Sequence, residues 1–368
     1  MERHNRYDTT ILLLAVALTC FGIVMVYSAS SIMAQRHFGD GFFFLKRQGV
    51  FAVVGFMAMA IGMHINLDLV RKLSVPLLLF CLLLLIAVVI PGVGKHIGGA
   101  TRWLRIGGMN IQPAELTKIA LVIYMAHSLA KKQDKVKTLA LGFIPYVVVL
   151  SLILLLLLLQ PDLGSALTLG AVAMIMLLAA GTRLTYLFSA AILTLPFFYF
   201  MIMNVDYRRR RILAFLNPWD DPTGSGFQII QSWIAFGSGG LVGKGLGEGK
   251  QKLFYLPEAH TDFIFSVVGE ELGFIGVGVV MILFMVFVCR GIHTAVCVEN
   301  DFLRFLAFGL TLLIGLAAFV NIAVVMGMVP TKGMALPFIS YGGTSLVTSL
   351  FAVGLLLNIS RQLPGDAR

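Results

Sequence analysis

LALGFIPYVVVLSLILLLLLLQPDLGSALTLGAVAMIMLLAAG, residues 139–181, holds two apolar runs joined at QPD, and Asp162 is its one charged side chain. A helix needs ~20 apolar residues to cross the hydrocarbon core of a bilayer, so the runs 139–159 and 163–181 each read as one crossing. The rest of the chain has the same character. Of 368 residues, 58% are hydrophobic and 12% charged, where soluble proteins average roughly 45–50% and ~25%; the mean hydropathy is +0.92. An ordinary soluble enzyme is excluded. The formal net charge of +10 would suggest nucleic acid in a soluble domain. In a membrane protein it serves anionic headgroups and orientation instead, so the expected partners include membrane lipids and no nucleic acid. The four cysteines, Cys20, Cys81, Cys289 and Cys297, show no CxxC and no metal-ligand spacing, which predicts neither a disulfide framework nor a zinc site.

Further apolar stretches near 10–32, 48–64, 73–91, 114–130, 185–204, 263–289, 303–327 and 343–360 bring the total to ten. The first is too long for a removable signal peptide and lacks a small-residue cleavage site, so it is read as a retained helix. The expected fold is an all-α polytopic membrane protein, a single membrane domain over 1–368 with about ten transmembrane helices and both termini on one side. A cytoplasmic N-terminus puts thirteen Lys and Arg inside and fifteen outside, but seven of the outer ones lie in one long segment, 205–262. The positive-inside bias is best counted over short loops. Without that segment the balance is thirteen to eight, which places both termini in the cytoplasm.

Two outer segments stand out. Residues 92–112 contain TRWLRIGGMNIQ, in which Gly107 and Gly108 sit between short mixed runs as a two-residue hairpin turn would. This segment enters the fourth span through Gln112, Pro113, Ala114 and Glu115, with proline at the first helical position and a carboxylate in the first turn. Residues 205–262, between spans seven and eight, read VDYRRRRILAFLNPWDDPTGSGFQIIQSWIAFGSGGLVGKGLGEGKQKLFYLPEAHTD. A loop this long is uncommon unless functional or disordered. The patches FQIIQSWIAF and LFYLP argue against disorder, and part of the segment is expected to lie as an interfacial helix.

Several motifs admit both a chemical and a plain reading. Glycines 237, 239, 240, 243, 245, 247 and 249, with Lys244, invite a phosphate loop, but GxxxxGK[ST] would start at Ser238 and place Gly245 where a hydroxyl must hold magnesium. What remains is a flexible connector, or a loop whose amides approach a lipid-linked phosphate. Arg208 to Arg211 would ordinarily anchor a cytoplasmic boundary; on the outer face, their guanidinium forks would suit a pyrophosphate. Glu115 and Lys118, at i and i+3, share a helix face and can pair, whether as a plain ion pair or as a functional one, and mark the polar interior of the bundle. Glu270 and Glu271 are adjacent and cannot share a face, so one of them is expected to be structural. Asp162 reads as a helix cap. His260, Thr261 and Asp262 meet at the mouth of the eighth span with Glu258, where Asp262 is either a cap or a base. No HExxH or GxSxG motif falls outside the spans.

The strings RWLRIGGMNIQPAELTK, QPDLGSAL, FQIIQSWIAFGSGGLVGKGLG, LPEAHTDFIFSVVGEELG and MVPTKGMALPFISYGGTSLV, in this order and spacing, resemble the SEDS family of bacterial shape, elongation, division and sporulation proteins. The PTKG before LPFISYGGTS is more similar to the division branch than to the elongation branch. The resemblance implies a ten-helix peptidoglycan glycosyltransferase that polymerises lipid II on the outer face of the cytoplasmic membrane, at the division septum. It implies as partners a class B penicillin-binding protein, which crosslinks the new glycan, and other divisome proteins. The family's catalytic carboxylate falls on Asp262, inside HTDF, and its charged helix pair on Glu115 and Lys118.

The reaction so implied is an inverting displacement with Asp262 as general base. Candidate groups for the substrate and its departing pyrophosphate are Arg102, Arg105, Lys118, Arg208, Arg210 and Lys244, with Glu115 and His260 beside them. A divalent cation, magnesium or manganese, held by carboxylates would be another source of positive charge. Two other functions fit the same composition. A lipid II flippase would use the polar groups at depth, Glu115, Lys118, Glu270 and Glu271. A non-enzymatic scaffold would present small residues such as Gly309 and Gly315 to a partner helix.

Overall fold

The computed structural model describes residues 7–97, 100–107, 109–251, 257 and 259–363. Its helices are α1 (Thr9–Phe38), α2 (Phe43–His64), α3 (Leu67–Lys72), α4 (Ser74–Val89), α5 (Pro113–Lys131), α6 (Ile144–Leu159), α7 (Leu163–Ala179), α8 (Leu184–Met203), α9 (Asp206–Leu216), α10 (Phe227–Gly239), α11 (Ile264–Cys297), α12 (Asp301–Val325) and α13 (Gly343–Ser360). A helix occupies every one of the ten stretches predicted from hydropathy. Among the described residues, seven helical segments are long and apolar enough to cross a bilayer: α1, α2, α8, α11, α12, α13, and α6 extended back to Leu139 by a π turn. Helices α4 and α7 are equally apolar but shorter, at 16 and 17 residues. Helix α5, at 19 residues, carries Glu115 and Lys118. The chain is a multi-pass helical membrane protein.

Local chemistry sets where these helices begin. The Asp8 carboxylate accepts from the Thr10 and Ile11 amides at the start of α1, and Arg290 of α11 donates to its other oxygen at 2.7 Å. Asp162 caps α7 by accepting from the Ser165 amide at 3.1 Å, as the sequence reading expects. Pro113 opens α5, where its missing N–H leaves no bond unmade.

Glycine decides the closest helix pair. Helices α2 and α13 approach until Gly62 lies on the backbone of residues 351–355 and Gly354 on that of Met59, so a β-carbon at either position meets main-chain atoms. Asn358 of α13 seals this contact by donating to the Gly62 and Ile65 carbonyls at 3.1 and 2.7 Å. Asp8, Arg290 and Asn358 therefore gather at one end of the bundle. The other end collects the C-terminus of α1 and the N-termini of α2, α5, α11 and α13, and the cavity described below opens there.

Between α4 and α5 the chain forms an antiparallel sheet of β1 (Lys95–Ile97), β2 (Ala100–Ile106) and β3 (Met109–Ile111), in the order β1-β2-β3. Ile106 pairs with Met109, so the two-residue turn sits where the Gly-Gly pair predicts, although Gly108 itself lies outside the described residues. The β1 strand was not expected.

Residues 205–262 contain two helices, α9 and α10. Residues 253–256 of the LFYLP patch, and Glu258, lie outside the described residues. The glycine run has a different role from the phosphate loop weighed above. Helix α11 breaks at Gly273, which has φ +66°. The run wraps this break, with the Lys244 and Gly245 amides donating to the Glu270 and Glu271 carbonyls at 3.1 and 3.0 Å. The fully buried Glu270 carboxylate accepts from Lys244 Nζ at 3.0 Å and from the Lys250 and Gln251 amides at 2.9 and 3.0 Å. These donors serve protein acceptors, not a phosphate. Glu271, also fully buried, accepts from Ser28 of α1 at 2.7 Å. Both carboxylates are thus structural, where the sequence suggested one. Gly309 faces Val122 and Met176, and Gly315 faces Val288. Gly309 is buried and serves packing within the bundle, while Gly315 packs on Val288 from a partly exposed position.

Candidate active site

Three consecutive carbonyls fix the segment that presents Asp262. The Tyr341 amide donates to the His260 carbonyl at 2.9 Å, Ser340 Oγ to the Thr261 carbonyl at 2.6 Å, and Asn321 Nδ2 to the Asp262 carbonyl at 2.9 Å. Asn321, on α12, donates as well to the Met334 carbonyl at 2.5 Å. It therefore ties the start of α11 to the segment between α12 and α13. Ser340 also accepts from the Leu336 amide at 2.8 Å, which folds residues 336–341 tightly beneath His260. The imidazole of His260 is buried and packs against the Phe44 and Tyr341 rings at 4.5 and 5.7 Å. It does not line the cavity onto which Asp262 opens.

Asp262 opens onto a cavity of about 1000 Å³ whose walls also carry Glu115, Lys118, Arg102 and Lys332. Lys118 Nζ lies 2.6 Å from Glu115 Oε1, and both side chains are nearly buried. The i, i+3 pair expected from sequence thus forms inside the chamber. Arg102, on β2, donates through Nε to the Gln160 carbonyl at 3.2 Å and through Nη2 to the Pro161 carbonyl, which fixes it on the wall. Gln112 joins the start of α5 to the start of α7 through Asp162 Oδ2 at 3.4 Å.

Other predicted positions lie elsewhere. Lys244 is 3.0 Å from buried Glu270. Arg208 is buried and donates to the Met201 and Leu158 carbonyls at 3.2 and 3.5 Å. Neither side chain lines the chamber. Arg105 is exposed and pairs in the sheet with Asn110, which lines the cavity, but is not itself among the lining residues. Arg210 lines a neighbouring pocket of about 660 Å³.

Of the run Arg208 to Arg211, Arg211 lines the chamber, and three cations that the sequence reading did not select join it: Lys46, Arg47 and, beside Asp262, Lys332. The close approach is made at Gly333, whose β-carbon position lies 3.0 Å from Asp262 Oδ2. Burial lowers the Lys332 pKa below the ordinary lysine value, because an ammonium without its water shell is disfavoured. The available signals were the PTKG string for Lys332 and the lone asparagine in an apolar span for Asn321, since a polar group at such depth needs partners.

Among the described residues, no three His, Cys, Asp or Glu side chains gather as a metal site. The chamber offers two carboxylates, and Glu115 is bound to Lys118.

The family described as cell cycle proteins, FtsW, RodA and SpoVE, matches residues 8–364. The chain belongs to the FtsW/RodA/SpoVE family. A probable peptidoglycan glycosyltransferase FtsW of Geobacter sulfurreducens is 64% identical over 98% of this chain and 97% of its own length. Among solved structures, one concerned with the coordination of polymerization and crosslinking by a peptidoglycan synthase complex superposes with a TM-score of 0.79. It is 29% identical and covers 96% of this chain and 98% of its own. The rod shape determining protein RodA of Thermus thermophilus superposes with a TM-score of 0.70 at 25% identity, over 98% of both chains. The helical bundle described above is therefore the FtsW/RodA/SpoVE fold, and the chamber at Asp262 lies within the matched length.

Proposed function

We propose that this chain is a peptidoglycan glycosyltransferase of the FtsW type, polymerising lipid II into glycan strands during cell division. The observation that carries this reading is one chamber holding a carboxylate fixed by three backbone clamps and a set of cations facing it. In the mechanism, Asp262 accepts the proton of the acceptor sugar's 4-hydroxyl as that oxygen attacks the anomeric carbon of the donor. The bond from that carbon to the pyrophosphate oxygen breaks, and the electron pair leaves with the lipid pyrophosphate. One displacement inverts the α-linked donor to a β-linked product. Lys118, Arg102 and Lys332 supply positive charge around the departing pyrophosphate. Lys46 and Arg47 widen that field at the mouth.

In this reading the helices make ten crossings with both termini in the cytoplasm of the inner membrane, and the Asp262 end faces outward at the septum. Residues 92–112 and 205–262 are the outer segments. The partner is a class B penicillin-binding protein, with other divisome proteins alongside. The relationship to a synthase complex that couples polymerization to crosslinking supports that partnership. The experiment is Asp262→Asn in the purified complex, assayed with lipid II. A general base contributes roughly 10²- to 10⁴-fold, so strand synthesis should fall by that factor. Wild-type synthesis would remove Asp262 from the mechanism.

A further inference from the structure

The second pocket, of about 660 Å³, lies outside the chamber but shares Arg211, Gln228 and Thr331 with it. Its remaining walls include Asp206 and Arg210 from the first turns of α9, Thr223 from the approach to α10 and Phe227 from its first turn. We infer that this pocket binds uncharged sugar units of the glycan strand, beyond the sugar that reacts at Asp262.

Charge balance separates this from an anion site. Asp206 stands in the wall with Arg210 and Arg211, and Asp221 is close enough to Arg210 for that guanidinium to lower its pKa, after the larger effect of donation from Ser225. The Asp221 carboxylate is held by the Ser225 amide and hydroxyl at 2.8 and 3.0 Å. A phosphate entering here meets Asp206 in the wall, and Asp221, bonded to the lining residue Ser225, adds a second negative charge behind it, so the two guanidinium charges are offset. A sugar gains from both. Each hydroxyl can donate to a carboxylate and accept from a guanidinium, while Gln228, Thr223 and Thr331 offer both functions. Phe227 supplies an apolar face of the kind a pyranose covers with its C–H side. The volume lies within the ~300–1,000 Å³ usual for small-ligand sites. The chamber is lined differently, with Lys46, Arg47, Arg102, Lys118 and Lys332 facing two carboxylates, as suits a pyrophosphate. The two hollows thus divide the two halves of a lipid-linked sugar polymer by chemistry.

This inference rests on the transferase reading for its place in the reaction, but the binding itself is measurable without turnover. The probe is chitotetraose, an uncharged tetramer of N-acetylglucosamine, with the full-length Asp262→Asn protein, read by saturation-transfer NMR. Thr223→Trp, which fills the pocket from an exposed position, and Phe227→Ala, which removes the apolar face, should each weaken binding at least about tenfold. In the wild-type Asp262 background with lipid II, both should shorten strands several-fold when compared at equal total sugar incorporation. Chitotetraose binding that survives both variants, or strands of unchanged length at matched incorporation, overturns the proposal. If the wild-type complex makes no polymer but chitotetraose binding is still lost in both variants, the transferase reading fails while the sugar site stands.

Discussion

Replacing Asn321 with alanine removes the amide that donates to the Asp262 carbonyl at 2.9 Å and the Met334 carbonyl at 2.5 Å. Each bond contributes about 0.5–1.5 kcal/mol net, so about 1–3 kcal/mol of restraint on the catalytic segment is lost. Two clamps remain, from Ser340 and Tyr341, so the segment loosens without detaching. If that energy is needed to keep Asp262 aligned in the transition state, at about 1.4 kcal/mol per tenfold the rate falls roughly 5- to 150-fold. A misplacement of ~1 Å costs a similar ~10²-fold. The assay is steady-state glycan synthesis by the purified complex with lipid II, alongside a thermal melt of the same sample. The expected result is a reduced kcat with KM within about threefold, since Asn321 does not line the chamber. Asn321→Asp should be worse, because it turns a carboxylate toward two carbonyl oxygens. A folded Asn321→Ala enzyme with wild-type kcat would refute the positioning argument.

Lys332→Arg tests the lowered lysine pKa. A depressed pKa means the ammonium charge is lost at lower pH than for an ordinary lysine, so strand synthesis should decline early on the alkaline side. Arginine, which stays charged, should move that decline to higher pH; an unmoved limb assigns it to another group. Glu270→Gln leaves Lys244 and two amides facing a neutral acceptor, and about 1–3 kcal/mol of stability should be lost in a denaturation series. Gly354→Val forces a side chain into the Met59 backbone, and the variant should fail to accumulate as a monodisperse species in size-exclusion chromatography. Glu248→Cys, exposed beside the glycine wrap, in a background lacking the four native thiols, should react with an impermeant maleimide from the outer face of spheroplasts. Labelling only after lysis would invert the topology.

Hydropathy alone located the helices, because each apolar stretch can satisfy its own backbone only as a helix in hydrocarbon, and every predicted stretch carries one. The same is true of local signals. Gly107 and Gly108 marked the hairpin, Asp162 marked a cap, and Glu115 and Lys118 met because i and i+3 share a helix face. Which charges line the chamber was not legible. The appeal of Lys244 and Arg208 as pyrophosphate ligands came from their type, yet Lys244 is paired with Glu270 and Arg208 with carbonyls of α6 and α8. The glycine run could be read as a flexible connector or as a loop whose amides approach a phosphate, and its Lys244 and Gly245 amides close the break in α11.

What the sequence determined by itself is therefore the helical membrane architecture, the sheet turn, the caps and the family, since these depend on residues near one another in the chain or on long ordered strings. Tertiary structure decided which cations share a chamber with Asp262 and how residues 260–262 are held. Lys46, Arg102, Lys118, Asp262 and Lys332 come from segments up to 286 residues apart, from 46 to 332 in the numbering, and no local period connects them. Burial converts that proximity into chemistry: once water is excluded, every charge must find a partner, and the partners it finds are set by packing rather than by spacing.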